Sequence, residues 1–296
     1  MDSRLRMAVF SWLKEQVDLH GDMLPRALLS GGFQFEGLRV PLVSPQGIFK
    51  PRLARLPLTI TTTSTGPYKD SFSDYGLLRY CYRKGGFGHR DNAGLRTLMA
   101  EQVPLVYFHG IVPGKYLAVW PVFIVGDHPE SEVFTVAVDD VKTLGGGLDD
   151  LILKDATSRR AYVTAAVRKR LHQRTFRERV LRAYRTHCAM CRLGHEKLLD
   201  AAHIIPDSEP EGVPAVSNGL ALCKIHHAAF DANFLGITPD FRILVREDIR
   251  REEDGPMLLH GLQGMHGRRI ILPRSAELRP SQDRLAARFE RFQRAG

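Results

Sequence analysis

The sequence predicts an α+β protein in two parts. A mixed α/β curled sheet or barrel spans residues 1–150. A basic linker helix follows over 151–170, then a compact, metal-pinned strand–loop–helix unit over 171–296. Three observations predict this. Residues 24–138 alternate short apolar and β-branched runs with Gly and Pro, leaving room for only a helix or two. Residues 188–226 carry two ligand pairs, Cys188 with Cys191 and Cys223 with His226, at matching short spacing. Charge divides the chain: residues 1–150 hold 16 Lys and Arg against 16 Asp and Glu, and residues 151–296 hold 26 against 17. The whole excess of +9 therefore belongs to the second part.

The bulk properties narrow the class further. A chain of 296 residues suits two domains, and 44% apolar content suffices for a core in each. No run approaches the roughly 18 uninterrupted apolar residues of a membrane span. Residues 1–19 mix Arg4, Arg6, Lys14, Glu15 and Asp18 among apolar residues, unlike a signal peptide. Val9, Leu13 and Val17 there recur at helical spacing, which predicts an amphipathic helix. Four cysteines, three of them in the motif region and Cys81 alone, make no disulfide framework, so a reducing cytoplasm is expected.

In chain order, residues 31–37 and 40–43 read as strand and turn, and 58–63 as a β-branched strand. Residues 68–82 are dense in aromatics, with Tyr68, Tyr80 and Tyr82 interleaved with Asp70. Residues 91–101 read as a helix, and 105–108, 116–125 and 133–138 as strands. The Gly run at 145–147 and the acidic pair Asp149 and Asp150 close this part. A linker helix is expected over about 159–170. A second helix over 176–184 puts Phe176, Val180 and Tyr184 on one face and leaves Arg179, Arg182 and Arg185 elsewhere. Residues 241–245 read as a strand. A basic helix over 284–294 has Leu285, Phe289 and Phe292 on its apolar side.

The stretch 188–231 holds three of the four cysteines and four of the twelve histidines. Two short-spaced Cys/Cys and Cys/His pairs are the pattern of a tetrahedral structural zinc site, which pins the intervening segment at both ends. Inside that frame, His203 lies in an apolar run, 201–205, that Pro206 stops, as a strand running into a loop would. Asn218 and Gly219 signal a turn before a second apolar run, 220–223. Residues 226–231 read as helical, so His227 and Asp231 share a face one turn apart and can hold one divalent cation. A neutral imidazole beside a divalent ion can take a proton from water while the ion stabilises charge on a phosphate.

These residues resemble the HNH nuclease family, whose fold is called ββα-metal. The likeness is greatest to a subgroup of predicted restriction endonucleases with an "LDAAHIIP … NGLxLC … HHxxFD" signature. It covers about residues 165–260. It implies a DNA endonuclease using Mg²⁺ or Mn²⁺, with His203 as general base, Asn218 positioning its surroundings and His227 as the third signature residue. One position departs: many relatives carry Asp or His directly before the base, and here it is Ala202. The ion's ligands therefore stay open between His227 with Asp231, and Asp200.

The stretch 159–192 holds eleven basic residues and one acid, Glu178. Beside a nuclease motif this is expected to contact phosphates of double-stranded DNA, through Arg179, Arg182 and Arg185. Residues 1–150 resemble the N-terminal part of restriction endonucleases whose reader, of PUA/SRA type, flips a modified base into a pocket. The resemblance implies stacking by Tyr68, Tyr80 or Tyr82 and edge-reading by Asp70, Asp91 or Asn92. One HNH site cuts one strand, so double-strand cleavage implies a homodimer or sequential nicking. Two alternatives are a zinc-containing DNA reader that does not cut, and an HNH nuclease for unmodified DNA.

Overall fold

The computed structural model describes residues 2–63, 71–72, 77–139, 150–253 and 255–295. Tyr68, Asp70 and the 145–147 glycines lie outside the described residues. The chain divides into two compact units, Met1–Leu171 and His172–Gly296.

Unit 1 opens with α1 (Asp2–His20), whose Val9 and Leu13 are buried as their one-turn spacing requires. Arg6 is also buried. Its guanidinium is fully engaged by Asp2 at 2.9 Å and the carbonyls of Pro104 and Pro57 at 2.8 and 3.0 Å. β1 (Met23–Pro25) and α2 (Arg26–Gly31) lead into a hairpin of β2 (Phe33–Phe35) and β3 (Leu38–Val40). Its two turn residues, Glu36 and Gly37, have φ of 48° and 78°. A two-residue hairpin needs positive φ at both, to match strand twist.

β4 (Ile48–Phe49), β5 (Thr59–Thr62), β6 (Ser71–Phe72), β7 (Leu78–Cys81), α3 (Arg90–Ala100), β8 (Leu105–Val112), β9 (Lys115–His128) and β10 (Val133–Val138) follow. The sheet order is β4-β5-β8-β9-β10-β7-β6, with β1 on β9; among the described residues only β5 and β8 pair in parallel. β9 pairs with β8 in its first half and β10 in its second. Register breaks at Leu105/Tyr107, Gly110/Val112 and Thr135/Val136 bend these ladders, and the sheet curls into a half-barrel. β8 is covered on both faces. Leu105 and Tyr107 join the core with Leu95 and Leu98 of α3, while Val106 and Phe108 join the core with Leu5, Val9 and Leu13 of α1. Burial of both faces is why the run Leu105 to Phe108 is apolar throughout rather than alternating.

One helix, α4 (Asp150–Ala183), runs for 34 residues where the sequence suggested two. No Gly or Pro stands between 150 and 183 to stop it. The unit boundary falls within α4. Thr164 accepts the Val138 amide at 2.9 Å and Leu171 is buried in unit 1, whereas Phe176, Val180 and Tyr184 belong to the core of unit 2.

Unit 2 contains β11 (Leu199–His203), β12 (Gly219–Cys223), α5 (Lys224–Asp231), β13 (Leu235–Ile237), β14 (Ile243–Val245), α6 (Glu247–Arg251), α7 (Pro256–Gly261) and α8 (Gln282–Ala295). β11 and β12 pair antiparallel without a break, from Leu199 opposite Cys223 to His203 opposite Gly219. α5 follows β12 directly, so strand, strand and helix are joined as one unit around one core. Among the described residues no helix is long and apolar enough to cross a membrane.

Candidate active site and metal centre

The zinc quartet assembles. Each of Cys188, Cys191, Cys223 and His226 offers one donor atom, and these four atoms lie within 4.8 Å of one another. Cys191 Sγ is 4.0 Å from Cys223 Sγ, and His226 Nδ1 is 3.4 and 3.2 Å from the Cys188 and Cys223 sulfurs. Tetrahedral zinc, with Zn–S about 2.3 Å and Zn–N about 2.0 Å, would separate sulfurs by about 3.8 Å and sulfur from nitrogen by about 3.5 Å. The donors therefore fit zinc. His226 Nε2 donates to the Gly261 carbonyl at 2.7 Å, which sets the tautomer and leaves Nδ1 free to ligate. Hydrogen bonding from Cys188 and then Cys191 holds the Cys223 thiol far below the usual thiol range, toward the metal-binding thiolate. The knuckle is tied to the hairpin by the Ala189 amide on the Ala221 carbonyl at 2.7 Å.

His203 ends β11 with its ring stacked on Phe176, centroids 3.9 Å apart and planes 12° from parallel. Its Nε2 is buried without a hydrogen-bond partner. Burial pushes the imidazole pKa down; the charges of Asp207 and Asp231 oppose this and that of His227 adds to it. Burial thus favours the neutral form of His203. Gly219, opposite His203, makes the stacking geometry available. A Cβ there would meet Val180 Cγ2 at 2.4 Å and Phe176 Cζ at 2.8 Å. The Asn–Gly pair read as a turn signal is therefore something else: Gly219 is the first residue of β12, kept small for close approach of α4.

Asn218 is fully buried. Its Oδ1 accepts the Ile205 amide at 2.9 Å, and its Nδ2 donates to the Ile205 and Val213 carbonyls at 3.0 and 3.1 Å. Its own carbonyl accepts the Ile204 amide at 2.9 Å. Every polar atom of the side chain is used in closing the 204–218 loop.

His227 lies between two carboxylates. Its Nδ1 is 3.7 Å from Asp200 and its Nε2 is 3.3 Å from Asp231. The neighbouring Asp200 carboxylate, which favours a protonated ring, raises the His227 pKa, and His227 and Lys224 hold Asp200 well below the usual carboxylate range. With an unbroken register, Asp200 and His203 point to opposite faces of β11. Asp200 is further engaged by Lys224 and by Arg177 at 3.3 Å.

Arg179, Arg182 and Arg185 are exposed. Arg177, one of the eleven basic residues, is instead structural, donating to the carbonyls of Glu196 and Leu199 at 3.0 and 2.8 Å. Of the expected base-pocket residues in unit 1, Tyr80, Tyr82, Asp91 and Asn92 are among those described. Tyr80 and Tyr82 are 4% and 3% exposed, in the sheet core; Tyr82 packs on Phe134 at 4.5 Å and bonds Asp127. Burial and that carboxylate push the Tyr82 pKa up to about 12. Asn92 is buried, with its amide closing the turn at Arg83 and Gly86. Tyr80 and Tyr82 are spent in the sheet core and the Asn92 amide in that turn, so these three are not displayed for a base. Asp91 differs. Paired with Arg83, it lines a cleft of about 510 Å³ with Gln46, Phe49, Lys50 and Arg90.

A strand–loop–strand–helix framed by a quartet that fits zinc, with histidines on the first strand and the helix and an asparagine between them, is the arrangement of an HNH endonuclease domain. Residues 188–238 match the HNH endonuclease family. The chain carries that domain and is a nuclease. No curated protein matches it. A solved structure titled "Modification dependent TagI restriction endonuclease" aligns with 79% of this chain and 80% of its own, at 17% identity and a TM-score of 0.29. That score is too low to carry fold or function across.

Proposed function

We propose that the protein is a DNA endonuclease of restriction type that acts on modified double-stranded DNA. The observation that carries the cutting half is His203, stacked on Phe176 where the Asn218-closed loop begins and within electrostatic reach of His227 and Asp231. His203 takes a proton from water, whose oxygen attacks phosphorus. Asn218 does not touch substrate in this reading; it holds the loop that follows the base. A divalent ion, Mg²⁺ or Mn²⁺, would stabilise charge on the phosphate and the leaving oxygen. His227 Nε2 and Asp231, 3.3 Å apart, fit two donors on one such ion, which at about 2.1 Å each would lie about 3 Å apart. Asp200 then orients His227 through Nδ1 rather than ligating. Zn²⁺ in the Cys188, Cys191, Cys223 and His226 quartet is structural in this reading.

The division of labour is target reading by 1–150, a basic linker over 151–170, and cleavage by 171–296. Arg179, Arg182 and Arg185 hold phosphates. The reader is of PUA/SRA type, and the cleft beside Asp91 supports it, being large enough for an extruded base and bordered by cationic side chains. Three of the four cysteines belong to the zinc quartet rather than to a disulfide framework, which fits a reducing cytoplasm. Double-strand cleavage would use a homodimer or two successive nicks. One digest tests the whole. A single plasmid, prepared plain, methylated, hydroxymethylated or phosphorothioated, is incubated with Mg²⁺ or Mn²⁺. Cutting confined to one modified form is expected. Equal cutting of all forms favours a nuclease for unmodified DNA, and binding without nicking favours a reader that no longer cuts.

A further inference from the structure

We infer that the C-terminal helix α8, far outside the matched family region, is part of the nuclease site, with Arg291 and Arg288 as positioning residues. The inference rests on the HNH reading of His203 and His227. The apolar side of α8 accounts for its docking: Leu285 is buried, and Phe292 packs where Gly236 leaves room, since a Cβ at Gly236 would come within 2.5 Å of that ring. Its arginines do something more specific.

Arg291 grips Glu209 with two parallel bonds of 2.6 Å. Arg284 donates to Ser217 Oγ at 3.1 Å, and the Ser281 amide to the Ser217 carbonyl at 2.9 Å. Glu209 and Ser217 both lie on the loop between His203 and β12. Arg288 donates to the Phe230 carbonyl at 2.6 Å, and its guanidinium lies 4.7 Å above the Phe230 ring. Phe230 and Asp231 end the helix that carries His227. One helix thus holds the segment after the base and the segment bearing the metal-side residues. Asn218 closes the loop from within, and α8 holds it from outside. A planar fork against a carboxylate sets direction as well as distance, so it can position what it grips. A misplacement of about 1 Å in such a site can cost about a hundredfold in rate.

The test uses the full chain and a charge swap. Wild type, Arg291→Glu, Glu209→Arg and the double variant are compared for kcat, KM, zinc content, melting temperature and hydrogen exchange of the 206–217 amides. The two side chains are 38% and 35% exposed, so the single variants should fold and keep zinc. Each single variant is expected to lose about ten- to a hundredfold in kcat with KM within about twofold, and to exchange faster at 206–217. The double variant should recover most of both. Arg291→Lys, which keeps charge but loses the fork, should fall between. Single variants that cut at the wild-type rate, or a double variant no better than either single, would overturn the inference while leaving the nuclease reading intact. A wild type that cuts no DNA overturns both.

Discussion

Replacing Asn218 by alanine should unfold the catalytic unit more easily than any other single polar change near the site. The amide is fully buried and makes three bonds. Alanine leaves the Ile205 amide and carbonyl without partners, at about 1–3 kcal/mol for each buried group. The Val213 carbonyl sits on an exposed residue and can turn to water at little cost. The two buried groups together come to about 3 kcal/mol, a large part of the roughly 5–15 kcal/mol that holds a typical domain. A two-unit chain need not unfold in one step, so the assay should report on unit 2 alone: release of zinc to a coloured chelator along a urea titration. With a slope of about 2 kcal/mol per molar urea, the midpoint should fall by about 1.5 M. Cleavage should fall with it even in the absence of urea, because the loop after His203 loses its internal closure. Asn218→Asp should not rescue, since a carboxylate would face two carbonyl oxygens. A midpoint within about 0.3 M of wild type, with full cleavage, would refute this account of the loop.

Further outcomes follow from the same geometry. His203→Ala should abolish cleavage while leaving DNA affinity within about twofold, measured by nicking and by binding titration. Burial lowers the His203 pKa, so the acid limb of kcat should lie below the ordinary histidine value of about 6.5 and the rate should plateau above it. The same shift makes the unfolded chain bind more protons as pH falls below about 6.5, so the His203 contribution to stability is lost on acidification and absent as a pH effect above it. Elemental analysis should find one zinc per chain, and stripping it should melt unit 2, because structural zinc contributes folding energy directly. Gly219→Ala should displace Phe176 and the His203 ring, cutting kcat without removing zinc, which a zinc assay beside a rate assay would separate. Reversing Arg179, Arg182 and Arg185 to Glu should weaken binding to every sequence alike and flatten its salt dependence by about 0.9 per lost phosphate contact.

Much of this protein was readable where partners are close in sequence. The zinc quartet is two pairs each spanning one knuckle. His227 and Asp231 share a face because a helix turns once in about 3.6 residues. The amphipathic α1 follows from the spacing of Val9 and Leu13. Apolar and β-branched runs also predicted β5, β8, β9 and β10 but not β1, β4, β6 or β7, nor what the side chains would meet. Tyr80 and Tyr82 looked like candidates for stacking a base and are core, because they lie on the face of the sheet that packs with Leu95 and Leu98 of α3. Gly219 looked like a turn and is a contact point, because what crowds it is Phe176 and Val180, some forty residues upstream. Helical spacing put Asp231 beside His227 in the sequence, but nothing local put Asp200 there. The register of β11 and the start of α5 decide that Asp200 meets Nδ1 and Asp231 meets Nε2. The pairing of Arg291 with Glu209 spans 82 residues, and no local pattern marks it. Short-range geometry is dictated by backbone periodicity, which the sequence by itself determines. Contacts between distant segments depend on how separate elements pack on a shared core, and only the tertiary structure decides those.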